Sequence, residues 1–256
     1  MTHGELRHSR RDEVLDSATN VFAAETAGAG DSATIVVANV GLHADATGAL
    51  FWPEQSVLVV ADLHLEKGSS LAARGVLLPP YDTAATLAAL ARLIARYAPR
   101  LVVALGDSFH DGGGPLRMSG ADRAALAALQ RGRDWLWIAG NHDPDLRGRV
   151  GGDFAETLTL GPLTFRHEPT PDRCVGEVAG HLHPLARVAR RGRAVSRRCF
   201  VGDGRRVVMP AFGAYAGGLN IRDRAILAVF GTLEFTAHLL GTRRLFAVGA
   251  AQCLPD

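Results

Sequence analysis

Three short apolar runs constrain the fold of this chain most strongly. They are Val57–Ala61, Leu101–Leu105 and residues 135–139. Each is apolar at nearly every position, which is typical of a strand buried on both faces. Between them, apolar residues recur at three- and four-residue spacing and predict helices over residues 83–97 and Gly120–Gln130. Alternating strands and helices predict a parallel sheet built from βαβ units.

The second half of the chain has a different pattern. Its apolar stretches are short and are separated by Gly, Pro or Asp, which is typical of a second sheet. We predict strands at residues 156–160, 163–166, 175–179, 186–189, 195–201, 206–209, 226–230 and 233–238. Phe230-Gly231-Thr232 has the composition of a hairpin turn. The expected fold is α/β, a four-layer α/β/β/α sandwich of two mixed sheets.

The domain organisation follows from composition along the chain. Residues 1–32 are polar and weakly periodic, so we expect a disordered leader with a short helix near residues 14–22. A strand at residues 35–40 then begins a body without a linker, and residues 33–256 are predicted to form one domain.

Cysteine usage and hydropathy indicate the compartment. The three cysteines are Cys174, Cys199 and Cys253, an odd number without a C-x-x-C pair, which argues against structural zinc and a disulfide framework. The N-terminus lacks the apolar segment of a signal peptide, and no stretch reaches the roughly 18–20 apolar residues of a membrane span. We therefore expect a reduced, cytoplasmic protein without membrane association.

Short polar motifs follow most of the predicted strands in the region that binds ligands in open α/β sheets. In chain order they are Asp62-Leu63-His64, Gly106-Asp107, Gly140-Asn141-His142-Asp143, His167 and Gly180-His181-Leu182-His183. Together they supply carboxylate, imidazole and amide ligands without thiolate, which suits Mn²⁺, Fe or Zn²⁺. A core would have no use for so many polar groups, because each would have to be desolvated. A metal centre, most plausibly a binuclear one, is predicted.

This ordered set resembles the calcineurin-like metallophosphoesterase superfamily, over roughly residues 57–183. The resemblance implies a first metal that is held by Asp62, His64, Asp107 and His183. It also implies that Asp107 bridges to a second metal, which is held by Asn141, His167 and His181. His167 rests on the least evidence, since only its place after an apolar strand points to it.

The chemistry expected of such a centre is phosphoester hydrolysis. Two metals about 3.5–4 Å apart clamp a phosphate and lower the pKa of a bridging water, so that hydroxide attacks phosphorus. His142 is then the expected proton donor to the leaving oxygen. Asp143 is expected to orient and charge the His142 imidazole.

Further motifs resemble a narrower family, the ligase-associated DNA-damage-response endonucleases (PdeM). They are Asp62-Leu63-His64-Leu65-Glu66-Lys67, residues 75–83, Gly106-Asp107-Ser108-Phe109-His110-Asp111, Gly180-His181-Leu182-His183-Pro184 and residues 209–213. This resemblance implies Mn²⁺-dependent cleavage of DNA in repair. It also implies a functional association with a DNA ligase, a helicase and an exonuclease.

Basic residues supply candidate contacts to substrate. The formal net charge is only +2, yet eight arginines and one aspartate fall between residues 187 and 206, directly after His183. Such a ridge could hold DNA phosphates, although a solvated hairpin surface is an equal alternative. The candidate substrate-binding residues are Lys67, Arg74, His110, Arg190, Arg191, Arg197 and Arg198.

Two other functions share these motifs. The first is the same chemistry on small nucleotides or other small phosphoesters, as a phosphodiesterase or phosphatase. The second is a non-catalytic scaffold with this fold, which the presence of His142 and the full ligand set disfavours. No G-x-S-x-G or Walker A motif supports another class of hydrolase.

Overall fold

The computed structural model describes residues 32–143, 145–171, 174–190 and 192–256. The predicted leader, apart from Ser32, and the helix predicted near residues 14–22 lie outside this part of the chain. Of the predicted arginine ridge, Arg191 also lies outside it, and Arg190 is described in its backbone only.

The described residues form two sheets. The first contains β1 (Ser32–Val37), β2 (Val40–Asp45), β3 (Leu50–Trp52), β4 (Val57–Ala61), β5 (Leu101–Leu105), β6 (Asp134–Ile138) and β7 (Asp153–Ala155). The second contains β8 (Thr157–Leu160), β9 (Leu163–Arg166), β10 (Glu177–Ala179), β11 (Pro184–Arg190), β12 (Arg193–Gly202), β13 (Arg206–Val208), β14 (Leu219–Asn220), β15 (Thr236–Leu240) and β16 (Leu245–Gly249).

Helices are few and mostly short. They are α1 (Lys67–Ala72), α2 (Asp82–Tyr97), α3 (Gly114–Arg117), α4 (Gly120–Gln130) and α5 (Arg224–Phe230), with 3₁₀ turns at Pro53–Gln55 and Ala250–Gln252. Within the described part of the chain, no helix is long and apolar enough to cross a membrane.

Strand order places the carboxyl ends of parallel strands together. In the first sheet the strands follow chain order, antiparallel from β1 to β4 and parallel from β4 to β7. Ala61, Leu105 and Ile138 are register partners, so β4, β5 and β6 end level with one another. In the second sheet β9, β10 and β13 are parallel neighbours. Each sheet therefore has an edge where several chain segments emerge side by side.

Alternating side chains build the layers. On β4, Val57 and Val59 face the second sheet and pack in one cluster with Phe165 and Phe200. The intervening residues of β4 pack with apolar residues of α2 and α4. The outer face of the second sheet packs against α5 through Ile226 and Phe230. The predicted α/β/β/α sandwich is confirmed, with a thin fourth layer that α5 forms.

One predicted strand is wrong. Residues 226–230 lie in α5, because Asp223 caps the helix by accepting the Ala225 N–H at 2.8 Å. Ile226 and Phe230 are four residues apart and so share the buried helix face. Gly231, with φ of 71°, ends the helix and donates its backbone N–H to the Leu227 carbonyl, so the predicted hairpin turn is a helix cap.

The strand predicted at residues 35–40 is a hairpin of β1 and β2. Ala38 and Asn39 both have positive φ and form its two-residue turn, although Ala-Asn is not a typical turn pair. The strand predicted at residues 233–238 begins later, at Thr236. Elements that the sequence pattern did not indicate are the short or edge elements β3, β7, β14, β16, α1 and α3.

The cap of α5 provides a stability test. Gly231→Ala should lower the free energy of unfolding by about 1–2 kcal/mol, because alanine resists the left-handed backbone conformation. Gly120→Ala at the start of α4 is the matched control, since its added Cβ meets nothing within 4 Å. Guanidinium denaturation measures both. Equal stability of the Gly231→Ala variant and the wild type would contradict the helical assignment.

Candidate metal centre

Strand ends from both sheets meet at one edge of the sandwich. β4 and β5 end directly before Asp62 and Gly106, and β9 and β10 end directly before His167 and Gly180. The His181 backbone N–H donates to both carboxylate oxygens of Asp62, at 3.2 and 3.0 Å. The polar motifs of the two sheets therefore share one site.

The first ligand group consists of Asp62, His64 and His183. One ligand atom from each lies within 4.8 Å of the others. His183 Nε2 is 3.2 Å from Asp62 Oδ1 and 3.3 Å from His64 Nε2. A carboxylate and two imidazole nitrogens thus point towards one small volume.

The second ligand group consists of Asp107, His167 and His181, again with ligand atoms within 4.8 Å of one another. His167 Nε2 lies 3.4 Å from Asp107 Oδ1 and 3.1 Å from His181 Nδ1. The Asn141 Oδ1 is 2.8 Å from the same His167 nitrogen. The structure thus brings all seven predicted ligands together, including His167.

Asp107 lies between the two groups. Its Oδ1 faces His167, whereas its Oδ2 is 4.0 Å from His64 Nε2 in the first group. One carboxylate therefore presents one oxygen to each group, which is the arrangement that a bridging ligand needs.

The charge of the site favours a bound cation. Asp62 is fully buried and Asp107 is 3% exposed, yet in the described part of the chain neither pairs with a lysine or arginine. Burial, followed by the nearby His183 and His142, lowers the pKa of His64 to about 2, so this imidazole is neutral. Buried carboxylates without a cationic partner are costly, and neutral imidazoles are metal ligands. The residues present therefore fit divalent metal ions.

The backbone of the candidate ligands is strained. Five of the seven have left-handed φ angles, which are 52° at Asp62, 43° at His64, 43° at Asp107, 70° at His181 and 46° at His183. A left-handed conformation costs a non-glycine residue about 1–2 kcal/mol. Such strain persists where surrounding structure enforces it, typically at functional sites. Here the His64 N–H donates to the Asp107 carbonyl at 2.9 Å and locks the two loops together.

Glycines leave room for the ligands. A Cβ on Gly106 would lie 2.5 Å from the His167 ring, and one on Gly180 would lie 2.6 Å from Asp62 Oδ2. A Cβ on Gly140 would clash with the Asp107 backbone nitrogen. These positions require glycine because ligands approach the backbone closely.

His142 lies at the open side of the site, and its side chain is 41% exposed. Its Nε2 is 3.9 Å from Asp107 Oδ2, and its Nδ1 is 2.9 Å from the carbonyl oxygen of His110. Asp143, predicted to orient this ring, is buried and accepts the Phe109 backbone N–H instead. Burial and the nearby Asp107 raise the pKa of Asp143 to about 7. The His110 carbonyl is thus the group that orients His142.

The predicted substrate contacts Lys67, Arg74 and His110 gather beside the site. The His110 ring stacks on that of His142 at a centroid distance of 5.5 Å. Burial, followed by the charge of Lys67 and to a smaller degree that of Arg74, lowers the pKa of His110. Lys67 Nζ donates to the Tyr215 carbonyl at 3.0 Å. The side chains of Lys67 and Arg74 therefore lie close enough to the site to lower the pKa of the His110 imidazole.

The predicted arginine ridge is smaller than its sequence indicates. Arg197 is exposed, but Arg198 points inward and donates to the Ala211 carbonyl at 2.8 Å. Burial lowers the pKa of Arg198, and its guanidinium is engaged by backbone carbonyls rather than extended into solvent. Arg206 is also buried, 3.4 Å from Glu177. Charge spacing in the sequence did not distinguish these two from exposed arginines.

A segment that joins the sheets was not recognised as part of the site. Residues 209–213 hydrogen-bond to both sheets. The Met209 N–H donates to the Ala179 carbonyl in the second sheet, and the Phe212 N–H donates to the Ala61 carbonyl in the first. Arg198 donates to the Ala211 carbonyl of the same segment. A Cβ on Gly213 would clash with the Leu63 carbonyl. The sequence of this segment shows a family resemblance, but its hydrogen bonds join distant parts of the chain and depend on the fold.

The fold and the site together define a metal-dependent phosphoesterase. Residues 56–189 match the family model described as calcineurin-like phosphoesterase, and the chain belongs to this family. Among the curated proteins compared with it, none matches significantly.

Two solved structures are similar to the chain. The nuclease MPE of Pseudomonas putida is 28% identical with a TM-score of 0.65, over 85% of this chain and 100% of that chain. Yfce, a phosphoesterase from E. coli, is 14% identical with a TM-score of 0.39, over 76% of this chain and 98% of that chain. The second likeness is too low to carry an argument.

The unbalanced carboxylates predict that metal stabilises the protein. Saturating Mn²⁺ at about 100 times Kd should raise Tm by roughly 5–10 °C relative to the protein in EDTA. His64→Ala should lose most of this rise, whereas His43→Ala on β2, outside the site, should keep it. Differential scanning fluorimetry measures the shift. A wild-type Tm that is equal with and without metal would contradict the metal centre.

Proposed function

We propose that this chain is a phosphodiesterase that uses two divalent cations to cleave DNA phosphodiester bonds, with a role in DNA repair. The observation that carries the proposal is Asp107, whose two carboxylate oxygens face separate ligand groups. In the proposed site Asp62, His64, Asp107 and His183 hold one cation, and Asp107, Asn141, His167 and His181 hold the other.

The donor set favours Mn²⁺, with Fe and Zn²⁺ as alternatives, because it combines oxygen and imidazole nitrogen without thiolate. When bound, two such cations supply Lewis acidity that polarises a phosphate and activates a water molecule. The protein supplies the remaining chemistry, which is to hold the phosphate in line and to protonate the leaving oxygen.

His142 is the proposed proton donor. Its Nδ1 faces the His110 carbonyl, which can only accept, so Nδ1 carries a hydrogen and Nε2 faces the site. When the bond between phosphorus and the leaving oxygen breaks, protonated Nε2 gives its proton to that oxygen. The stacked His110 ring limits the rotation of His142. Exposure of His142 lets it regain a proton from solvent.

A polymeric substrate is favoured over a small one by the openness of the site. Asn141 and His142 are exposed, and Arg74 and Lys67 extend positive charge beyond the ligands. The likeness to a nuclease at 28% identity over most of the chain supports the same reading. The repair role, and a functional association with a ligase, helicase and exonuclease, rest on the family resemblance of the motifs.

The direct test is cleavage of a closed single-stranded DNA circle with Mn²⁺. Wild type should linearise the circle, and salt should suppress the reaction because phosphate contacts release counterions. Asp107→Asn should abolish cleavage and lower bound metal, whereas Asp145→Asn, an exposed aspartate at the same edge, should not. Hydrolysis of bis-p-nitrophenyl phosphate without cleavage of the circle would assign the site to small phosphoesters or to DNA ends.

His142→Ala tests the proton donor separately from the metals. The variant should keep its metal content but cleave DNA about 10²–10⁴-fold more slowly, since an alkoxide leaving group needs a proton. Hydrolysis of bis-p-nitrophenyl phosphate should fall much less, because p-nitrophenolate leaves without one. His43→Ala is the control. Equal losses on both substrates would remove His142 from proton transfer.

A further inference from the structure

An exposed apolar surface lies next to the metal centre. Residues 75–81, the apolar loop, connect α1 to α2 and include four large apolar side chains that face solvent. Their exposed fractions are 51% for Val76, 85% for Leu77, 37% for Leu78 and 69% for Tyr81. In the described part of the chain, large exposed apolar residues elsewhere are isolated from one another along the sequence. A concentration of this kind marks a contact surface.

The backbone of the apolar loop is held in place. At its start, the Val76 N–H donates to the Leu71 carbonyl at 2.9 Å and the Gly75 N–H to the Ala72 carbonyl at 3.0 Å. At its end, the Tyr215 hydroxyl donates to the Pro79 carbonyl at 2.9 Å. The outward apolar side chains are therefore presented by a fixed backbone.

Two buried contacts tie the helices on either side of the apolar loop together. The Gly68 N–H on α1 donates to the carboxylate of Asp82 at the start of α2, at 3.1 Å. The Thr83 hydroxyl donates to the Glu66 carboxylate at 2.9 Å. Glu66 follows His64 by two residues, so the apolar loop is coupled to the ligand segment itself.

The apolar loop also adjoins the positive charge of the site. α1 begins three residues after His64 and, with six residues, rises only about 9 Å. Arg74 directly precedes the loop, and its charge reaches His110. Tyr215 links the two regions, because its carbonyl receives Lys67 Nζ and its hydroxyl holds the loop. Lys67 and Arg74, which can bind phosphates, thus lie beside apolar side chains that can contact the faces of bases.

We propose that the apolar loop contacts unpaired bases of the nucleic acid whose phosphate occupies the metal centre, with Tyr81 and Leu77 as the main contact residues. This inference rests on the proposed function. A phosphate site recognises every nucleotide alike, so a base contact beside it would increase affinity without reading sequence. Apolar contact with base faces also explains why these side chains are kept exposed next to a hydrolytic site.

The test compares an oligonucleotide with and without bases. Leu77→Ala/Tyr81→Ala should raise KM for a normal single-stranded oligonucleotide by about tenfold or more, as expected for lost stacking. On an oligonucleotide with abasic residues around the cleavage site, variant and wild type should have equal KM. Hydrolysis of bis-p-nitrophenyl phosphate should be unchanged. Val175→Ala is the matched control, since it is 60% exposed and precedes β10 at the opposite edge of the sheet.

Each other outcome overturns the inference in a recognisable way. An unchanged KM on the normal oligonucleotide means that the loop does not contact bases. An equal rise on normal and abasic substrates means that it only shapes the site. A change in sedimentation coefficient with unchanged KM assigns the surface to a contact between copies of the chain. Wild type that hydrolyses the small diester but neither oligonucleotide refutes the proposed function, and the inference fails with it.

Discussion

The negative charge of two buried carboxylates, Asp62 and Asp107, is the constraint on which the rest of the site depends. In the described part of the chain neither has a lysine or arginine partner, and the imidazoles around them include His64, whose burial keeps it neutral. Without metal the site would combine uncompensated charge with strained backbone at five ligands. Bound divalent cations would balance the charge and give the strained loops a common anchor. Stability and chemistry would therefore depend on the same ions.

The fold maintains this arrangement by joining two sheets at one edge. Level strand ends in the first sheet position Asp62 and Asp107, and parallel strands in the second position His167 and His181, which are candidate ligands. Residues 209–213 hydrogen-bond to both sheets, and Arg198 holds their carbonyls. Arg198 thus supports this segment from the second sheet, whereas Arg197 on the same strand is exposed. Positive charge at the open side comes from Lys67 and Arg74, on the α1 side of the site.

The sequence was sufficient for the elements that have strong patterns. Fully apolar runs identified β4 and β5 at their observed bounds. The polar motifs identified seven candidate ligands, and the structure places all seven close together. The sequence failed where local signals conflict and where distant contacts decide the outcome. Residues 226–230 are apolar enough for a strand, but the Asp223 cap and Gly231 bound them as a helix. The orientation of Arg198 and the His110 carbonyl beside His142 depend on contacts between distant segments, so no local pattern encodes them.

A crystal structure grown with Mn²⁺, with anomalous diffraction recorded near the manganese edge, tests the binuclear centre most directly. We expect two anomalous peaks about 3.5–4 Å apart, one on each side of Asp107. The first should lie within bonding distance of His64 and His183, and the second within bonding distance of Asn141 and His167. One peak, or two peaks that do not share Asp107, would contradict the binuclear centre.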